Sequence, residues 1–484
     1  MKRRNPILLI VIIIIIIILL LLRYCSSCSG HVKPQKDSLV QYKLPEYYPD
    51  QLVVLFNKKP SASLINKIKG DIKDSLGTEI DTAGITVATC SNCGTGFYME
   101  LWKAKNIHSY LHAEPVQGGT HTDNTKTVGD TIVTMFRNYK MKISPGNGKD
   151  PNQYTLVPSD RIQHTKDTVT VALLDSGLDT SINNIKTYLW RNVKESGNNR
   201  DDDSNCLTDD EYGWNFVDTT GNINDDAPDK HGTHVAMFII NEFQRERTNN
   251  LKLMVLKTHD RNSEGSLFNV ICAMLYAADH HANVINASWG FYSNFPPLPD
   301  GGKTGYEPLD SIITQVMASK GILFVTAAGN RMASEDEKAE KAGIAVADLR
   351  NLKKRNFFPA CFATNGNNVI AVTTVTDTAV SPTQNYSSEY VDLGVLGDRF
   401  TDGFLMFKVP LMPGEAYVSG SSYATGIVTG RIAAGSPTYM YNPRRGGNAY
   451  NKTPFFQALG GGLQRSAALR DKAEVKDGNY IKHR

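Results

Sequence analysis

The sequence carries little net charge for its length. Its 52 lysines and arginines nearly balance its 49 aspartates and glutamates, which leaves a formal charge of +3 over 484 residues. There is no long basic stripe, so the composition argues against a nucleic-acid-binding protein. We detect no internal repeat. Hydrophobic residues make up an ordinary 41% of the chain, and the length exceeds what one compact domain usually holds.

Cysteine is scarce, and its spacing does not fit a metal site. The two C-x-x-C pairs, at Cys25 and Cys28 and at Cys90 and Cys93, are much further apart than the roughly fifteen to twenty residues of a zinc ribbon. A local disulfide between Cys90 and Cys93, or free thiols, is therefore favoured. The odd total leaves at least one cysteine unpaired within a monomer. The seven cysteines are Cys25, Cys28, Cys90, Cys93, Cys206, Cys272 and Cys361.

One long hydrophobic run departs from this ordinary composition. Residues 7–22 are isoleucine, leucine and valine without interruption, and they follow the basic cluster Lys2–Arg4. As a helix, this run would reach about 24 Å, near the lower limit for crossing a bilayer. No A-x-A-like cleavage site follows it, which favours an uncleaved signal anchor over a removed signal peptide. The basic cluster predicts a cytoplasmic N-terminus and a remainder outside the cytoplasm.

Changes in composition and in hydrophobic pattern divide the chain into six predicted segments. Helix-like and strand-like patterns alternate over 48–115 and predict a small α+β unit, with an amphipathic helix over 61–76. The segments are a cytoplasmic stub with a transmembrane helix (1–28), a linker (29–47), the α+β unit (48–115), a loop-rich linker with a strand-like stretch at 130–139 (116–155), a larger domain (156–436) and a C-terminal extension without a domain signal (437–484).

The larger domain alternates short apolar runs with helical patterns. Strands are predicted at 168–175, 251–257, 283–288, 321–330 and 367–375. Helices are predicted over 265–282 and 308–320. This alternation predicts an α/β domain in which a mostly parallel sheet carries helices on both faces. Ligands of such sheets bind beyond the carboxyl ends of the strands.

Four polar residues stand where the predicted elements meet loops. Asp175 closes a buried strand in ALLDSGLD, and His231 opens an apolar helix in DKHGTHVAMF. Asn330 closes another strand in AAGN, and Ser422 lies in the glycine-rich turn VSGSSYATGIVTG. Nucleophilic attack by serine needs a base, a carboxylate that orients the base, and donors for the oxyanion. Each residue alone is a weak signal, but this set in this order is specific.

The three blocks resemble those of the subtilisin-like serine proteases, the subtilases of peptidase family S8. HGTHVA matches the family's histidine block letter for letter, and the order Asp, His, Ser is the subtilase order. The resemblance covers about 165–435 and implies a three-layer fold and a serine endopeptidase that acts through an acyl-enzyme. It implies that Asp175 orients the base, His231 is general base and acid, and Ser422 is the nucleophile. No cofactor is implied for catalysis.

The resemblance also separates neighbouring candidates. Asn330 would donate its side-chain amide to the oxyanion, together with the backbone N–H of Ser422. His234 would be structural, and Ser421 stands where the family usually has threonine. The expected substrates are polypeptides, and no oligomeric state is implied. The residues implied to bind substrate are Ser288, Trp289, Gly290, Ala327, Ala328 and Gly329.

The serine block departs from the family pattern. Residues 423–427 read YATGI where the family commonly has M-A-S-P-H. The missing proline and the bulky Tyr423 favour one alternative, a weak or inactive pseudoprotease that binds peptides. A second alternative, an esterase or amidase on another fold, lacks its usual G-x-S-x-G elbow around Ser422.

Two further expectations follow from the resemblance. The acid-dense stretch 198–218 is similar to loops in some subtilases, so Asp201, Asp203 and Asp209 are candidate calcium ligands. A solvated acidic loop is the alternative. The unit at 48–115 stands where subtilases carry a propeptide, so self-cleavage within 116–155 is expected to free the catalytic domain from the membrane anchor.

Overall fold

The computed structural model gives a definite fold for most of the chain, and the apolar run at 7–22 lies outside the described part. Cys25, Cys28 and Cys93 lie outside it as well. Within the described ranges, no helix is both long and apolar enough to cross a membrane. The described residues are 45–77, 84–90, 98–111, 124–128, 130–143, 153–159, 167–246, 249–293, 307–331, 333–441 and 450–483.

The first part of the described chain is a small antiparallel sheet with one helix packed on it. The sheet order is β2-β3-β1-β5-β4. The helix begins after Ser61, whose Oγ accepts a hydrogen bond from the Leu64 N–H at 3.1 Å, as serine does at helix starts. The elements are β1 (Tyr47–Phe56), α1 (Ala62–Leu76), β2 (Thr86–Thr89), β3 (Tyr98–Lys103), β4 (Asn124–Val128) and β5 (Thr131–Lys142).

This unit extends further along the chain than the sequence predicted. The strand-like stretch at 130–139 is part of β5, which pairs with β1 in the middle of the sheet. Residues 124–142, assigned to the linker 116–155, therefore belong to the α+β unit. The helix predicted over 61–76 is present because Ile68 and Ile72 are buried against Leu52 and Trp102.

The larger domain is built on a nine-stranded sheet of order β19-β20-β15-β14-β12-β10-β6-β8-β7. All of its neighbouring strands are parallel except β19 and β20. In chain order the strands of the rest of the chain are β6 (Asp167–Asp175), β7 (Gly213–Asn215), β8 (Asn249–Lys257), β9 (Glu264–Ser266), β10 (Val284–Ala287), β11 (Phe291–Tyr292), β12 (Leu323–Ala327), β13 (Phe357–Phe358), β14 (Val369–Val375), β15 (Leu393–Leu396), β16 (Arg399–Thr401), β17 (Phe404–Lys408), β18 (Tyr417–Val418), β19 (Leu463–Arg465) and β20 (Asn479–Lys482).

Helices cover both faces of this sheet, as predicted. Val171 and Leu173 of β6 belong to one buried cluster, and Ala172 and Leu174 belong to the other, because successive side chains of a strand point to opposite faces. The helices are α2 (His231–Glu246), α3 (Leu267–Asp279), α4 (Glu307–Ser311, continued by a π-helix at Ile312–Met317), α5 (Ala333–Lys341), α6 (Val346–Arg350), α7 (Ser421–Gly435), α8 (Thr453–Ala458) and α9 (Ala467–Asp471). Helices α2 and α7 pack on one face and α3 on the other.

The C-terminal extension 437–484 is part of this domain. Strand β20 pairs in parallel with β15 and extends the sheet. Arg431 of α7, itself 1% exposed, forms a 2.7 Å ion pair with the buried Glu242. The same guanidinium donates to the carbonyl of Lys482 at 2.9 Å. This buried contact fixes β20, whose four residues are too few to show a strand period.

The α+β unit docks on the larger domain through its own longest strand. The end of β5 pairs with β9, so that Met141 lies opposite Gly265. The Tyr139 and Phe291 rings stack with centroids 5.5 Å apart. Apolar side chains of both parts belong to one buried cluster, so the two parts share a core.

A disulfide also joins the two parts. Cys90, which follows β2, is bonded to Cys272 of α3, 182 residues further along the chain. The predicted local bond between Cys90 and Cys93 is therefore wrong. The sequence favoured it because spacing shows only local proximity, whereas docking of the unit brings Cys90 against α3. Cys206 is also disulfide-bonded.

Candidate active site

The three residues of the predicted triad lie at the ends of three neighbouring elements. Asp175 is the last residue of β6, His231 is the first residue of α2, and Ser422 is the second residue of α7. Helices α2 and α7 pack closely because Gly426 and Gly430 have no side chains. A β-carbon added to Gly430 would lie 2.5 Å from the carbonyl oxygen of Ile239.

Asp175 and His231 form a buried pair. His231 Nδ1 lies 2.8 Å from Asp175 Oδ1, and both side chains are 0% exposed. Since a carboxylate only accepts, Nδ1 carries the proton and donates it. Burial, the largest single effect, lowers the pKa of His231, but the charge and hydrogen bond of Asp175, together with the charges of Asp229 and Asp225, outweigh it and raise that pKa above its usual value. The pair therefore favours a protonated imidazole at this position.

Two residues that the sequence analysis missed hold the start of α2. Ser176 Oγ accepts from the Gly232 N–H at 2.9 Å. The Asp225 carboxylate accepts from the Thr233 N–H at 3.0 Å and from its hydroxyl at 2.8 Å. A carboxylate at a helix N-terminus also stabilises the positive end of the helix dipole. Asp225 was missed because it lies in an ordinary acidic loop. Ser176 lies inside the aspartate block ALLDSGLD, but no role was assigned to it.

His234 has a different environment from His231. Burial lowers the pKa of His234 to about 4, so the imidazole is neutral at neutral pH. Its ring contacts Tyr423 with centroids 6.3 Å apart. Both ring nitrogens are buried. His234 is therefore packed in the core one turn along α2, and its structural role stays a prediction.

Ser422 points towards the neighbouring substrate segment. Its Oγ donates to the carbonyl oxygen of Ser288 at 3.1 Å, and Ser288 Oγ donates back to the Ser422 carbonyl at 3.0 Å. His231 Nε2 is buried and has no hydrogen-bond partner among the described residues. Rotation about the Cα–Cβ bond of Ser422 redirects its hydroxyl, and such contacts often form only when substrate binds.

Asn330 is oriented by Ser421. Its Oδ1 accepts from the Ser421 N–H at 2.9 Å and from the Ser421 hydroxyl at 3.0 Å. The donor N–H identifies the accepting atom as oxygen, so the other end of the amide is the NH₂ group. A β-carbon added to Gly420 would lie 3.3 Å from this Nδ2. The NH₂ group therefore lies beside the turn that leads into Ser422.

The six predicted substrate residues form two backbone segments. Ser288, Trp289 and Gly290 follow β10, and Ala327, Ala328 and Gly329 follow β12 from its last residue. Gly290 exchanges two backbone hydrogen bonds with Lys142, at 3.0 and 3.1 Å. Lys142 of β5 therefore pairs with the edge of the first predicted substrate segment.

Within the first of these segments, the side chain of Trp289 is buried. It is 1% exposed, and its ring packs edge-on against Phe324 with centroids 6.4 Å apart. The physical reason is the alternation of side chains along an extended segment, which turns Trp289 away from its neighbours. Only the Trp289 backbone is available to a peptide.

The carboxylate cluster of the acid-dense stretch is formed by residues that only partly match the predicted calcium ligands. Ligand oxygens of Glu195, Asp203 and Asp210 lie within 4.8 Å of one another. Asp201 instead accepts from the Cys206 N–H at 2.8 Å, and Asp209 accepts from the Asn199 N–H at 2.9 Å. Both residues cap turns of the loop and lie outside the cluster. Of the three predicted ligands, the structure places Asp203 alone in it.

Comparison with known protein families identifies the class of this chain. The model of the subtilase family, peptidase S8, matches residues 166–436, which is just over half of the chain. The chain belongs to the subtilase family of serine proteases. Subtilisin-like protease 1 of Plasmodium vivax is 30% identical over 260 residues, which cover 50% of this chain and 36% of that protein.

Other known proteins match over shorter stretches or at lower sequence identity. A thermophilic serine proteinase of Bacillus sp. (strain AK1) is 31% identical over 130 residues, covering 25% of this chain and 28% of that protein. The chain thus spans about a third of the length of the curated relatives it matches. Among solved structures, the epidermin leader peptide processing serine protease of Staphylococcus aureus is 15% identical with a TM-score of 0.42, covering 79% of this chain and 87% of that one. A lanthipeptide protease is 21% identical with a TM-score of 0.39, covering 56% and 73%.

Proposed function

We propose that this protein is a serine endopeptidase that hydrolyses peptide bonds with Asp175, His231 and Ser422. The observation that carries the proposal is the buried Asp175–His231 hydrogen bond, at 2.8 Å, beside the start of α7. In such a pair the carboxylate stabilises the positively charged imidazolium that forms when serine attacks a carbonyl. Packing of the protein alone does not need this stabilisation.

The proposed reaction uses each group in turn. Ser422 Oγ attacks the carbonyl carbon while its proton passes to His231 Nε2, and Asp175 holds the imidazole in the tautomer that can accept it. The amide of Asn330 and the backbone N–H of Ser422 stabilise the negative oxygen. His231 then protonates the leaving amine, and water hydrolyses the acyl-enzyme by the same route.

The alternative, an inactive peptide-binding pseudoprotease, is less well supported. It rested on the unusual residues after Ser422. Gly426 takes the place of the expected proline, and a β-carbon there would lie 3.1 Å from the carbonyl oxygen of Val235, so this glycine serves helix packing. The Tyr423 ring lies on the α2 side of α7, with its centroid 5.7 Å from that of Phe238. Neither change removes a reacting group.

The α+β unit is proposed to act as an inhibitory propeptide. Lys142 pairs with the backbone of Gly290, so the unit occupies the edge of this predicted substrate segment, and the neighbouring Met141 pairs with Gly265 of β9. Pairing protects strands β4 and β5, and the pairing of Lys142 with Gly290 directs self-cleavage to the stretch that follows, between Ile143 and Asp167.

A structural calcium ion is proposed for the acidic cluster. Three carboxylates this close repel one another unless a cation or proton compensates them, and hard cations prefer several oxygen ligands from one loop. Glu195, Asp203 and Asp210 would hold the ion. It would take no part in hydrolysis.

A fluorophosphonate probe tests the proposed activity directly. The wild-type protein should be labelled covalently on Ser422 and should cut itself between Ile143 and Asp167. Ser422→Ala should remain uncut and unlabelled, because it keeps the fold and lacks the nucleophile. Both proteins would be compared by reducing gel electrophoresis and intact mass. A folded wild-type protein that stays unlabelled would favour the pseudoprotease.

The proposed location is outside the cytoplasm, with residues 7–22 in the membrane. The Cys90–Cys272 disulfide supports an oxidising compartment, because such bonds rarely persist in the cytosol. Protease added to intact expressing cells should digest residues 167–436 without detergent, because no membrane should shield them. Protection of this region until the cells are lysed would contradict the proposed topology.

A further inference from the structure

The two substrate segments are separated by the ring of Phe357. A β-carbon added to Gly290 would lie 2.5 Å from Phe357 Cε1, and one added to Gly329 would lie 2.9 Å from Phe357 Cγ and Cδ1. Real β-carbons do not approach other atoms this closely, so the ring is in contact with both glycines. The space between the segments, where the first specificity pocket is expected, is therefore occupied by this chain's own aromatic side chain.

Phe357 is held in this position by its neighbours. Strand β13 pairs with β11, which places Phe357 opposite Tyr292, and the two ring centroids are 4.8 Å apart. The Tyr292 hydroxyl donates to the carbonyl of Asn330 at 2.6 Å, and the Arg355 guanidinium lies 4.3 Å from the Tyr292 ring. With 6% of its surface exposed, Phe357 is a packed part of the wall.

The sequence of the two segments is matched to this ring. Gly329 has a φ of +95°, a conformation that side chains rarely adopt. The Asn385 amide fixes the same segment by donating to the Ala328 carbonyl at 2.8 Å. Glycine on both sides makes room for Phe357, and the backbone of the second segment cannot easily move away.

We infer that Phe357 closes the first specificity pocket and limits the substrate residue on the acyl side of the cut to glycine, alanine or serine. This inference rests on the proposed protease function. A large aromatic or branched side chain would need the volume that the ring fills, and interiors of this density do not absorb such a group without strain. Small side chains need no such volume.

The register of the bound segment agrees with a small residue. Lys142 lies opposite Gly290 in an antiparallel bridge, in which advancing one strand moves back along the other. In a substrate strand paired in this register, the residue two positions after the one opposite Gly290 would lie opposite Ser288. The carbonyl oxygen of Ser288 is 3.1 Å from Ser422 Oγ. In the sequence of this chain the residue two places after Lys142 is Ser144, which has a small side chain.

Peptides with the sequence Met-Lys-Ile-X before a fluorogenic amide test the inference. The full chain is used after self-cleavage, and active sites are counted with the fluorophosphonate probe. For wild type, kcat/KM with X as alanine or serine should exceed that with phenylalanine or leucine by at least about tenfold. Phe357→Gly should raise the ratio of kcat/KM for phenylalanine to kcat/KM for alanine by at least about tenfold.

The neighbouring Phe358→Leu is the matched control. Phe358 lies in the same two-residue strand, but its ring packs on Phe362 with centroids 4.8 Å apart, so its loss should lower the melting temperature and leave the preference unchanged. Equal rates for alanine and phenylalanine in wild type overturn the inference even if Phe357→Gly does not fold. An unchanged preference in a folded Phe357→Gly overturns it as well. Absence of probe labelling instead indicates that the proposed protease function has failed.

Discussion

His231→Ala is expected to abolish peptide hydrolysis, whereas His234→Ala is expected to retain it. His231 Nδ1 is 2.8 Å from the Asp175 carboxylate, and its removal leaves no base for the Ser422 proton. Subtilisin, a member of this family and the source of the figure, loses about 2 × 10⁶ in kcat when its catalytic histidine is replaced. The measurement is kcat on a peptide substrate, with melting temperatures for both variants.

His234→Ala is the matched control because both histidines lie in the first turn of α2. Removal of the His234 ring from its contact with Tyr423 should cost about 1–3 kcal/mol of the free energy of unfolding. Turnover of the folded fraction should stay near the wild-type value. Loss of turnover in a His234→Ala protein of unchanged stability would contradict the roles assigned to the two histidines.

Asn330→Ala is expected to reduce kcat while leaving KM nearly unchanged. The Ser421 N–H donates to the side-chain oxygen Oδ1 of Asn330 at 2.9 Å. The side-chain NH₂ group is therefore left to stabilise the negative charge that develops only in the transition state. The expected loss of about 10²–10³ in kcat is the value known for the corresponding donor of subtilisin and is adopted from it. Steady-state kinetics on one peptide would separate kcat from KM.

Ser421→Thr is a suitable control for this second experiment. It keeps the hydroxyl that donates to Asn330 Oδ1 at 3.0 Å, and it restores the residue that the family usually has. Its kcat should therefore remain close to that of wild type. A folded Asn330→Ala protein with full kcat would show that the oxyanion is stabilised by other donors.

The sequence predicted those parts of the fold that depend on local pattern. Strand β6 has the apolar run Val171–Leu174 directly before Asp175, and α2 begins at His231, shortly before the apolar run Val235–Ile240, so both elements and their functional ends could be located. The order of the motifs then placed Asp175, His231 and Ser422 together. The elements are located by strand and helix period, whereas the grouping of the three residues came from the resemblance of the short blocks and their order to those of the subtilases.

The features that were missed depend on contacts between distant residues. Cys90 and Cys272 are 182 residues apart, and no spacing rule connects such a pair. Strand β20 has four residues and exists because β15 offers an open edge. Phe357 follows a charged insertion, and only the fold brings it between Gly290 and Gly329. Asp201 and Asp209 were assigned as ligands because composition does not distinguish a ligand from a turn-capping carboxylate.

The disulfide between Cys90 and Cys272 changes what a cut in the backbone would mean. The sequence suggested that self-cleavage would release the catalytic domain. A cut between Ile143 and Asp167 would instead leave the two pieces joined by the disulfide. They would remain one covalent molecule at least until a dithiol reduced this bond, giving two protein thiols and one oxidised dithiol. Cleavage would then alter activity without altering cellular location, and detachment would be a separate event controlled by the local thiol balance.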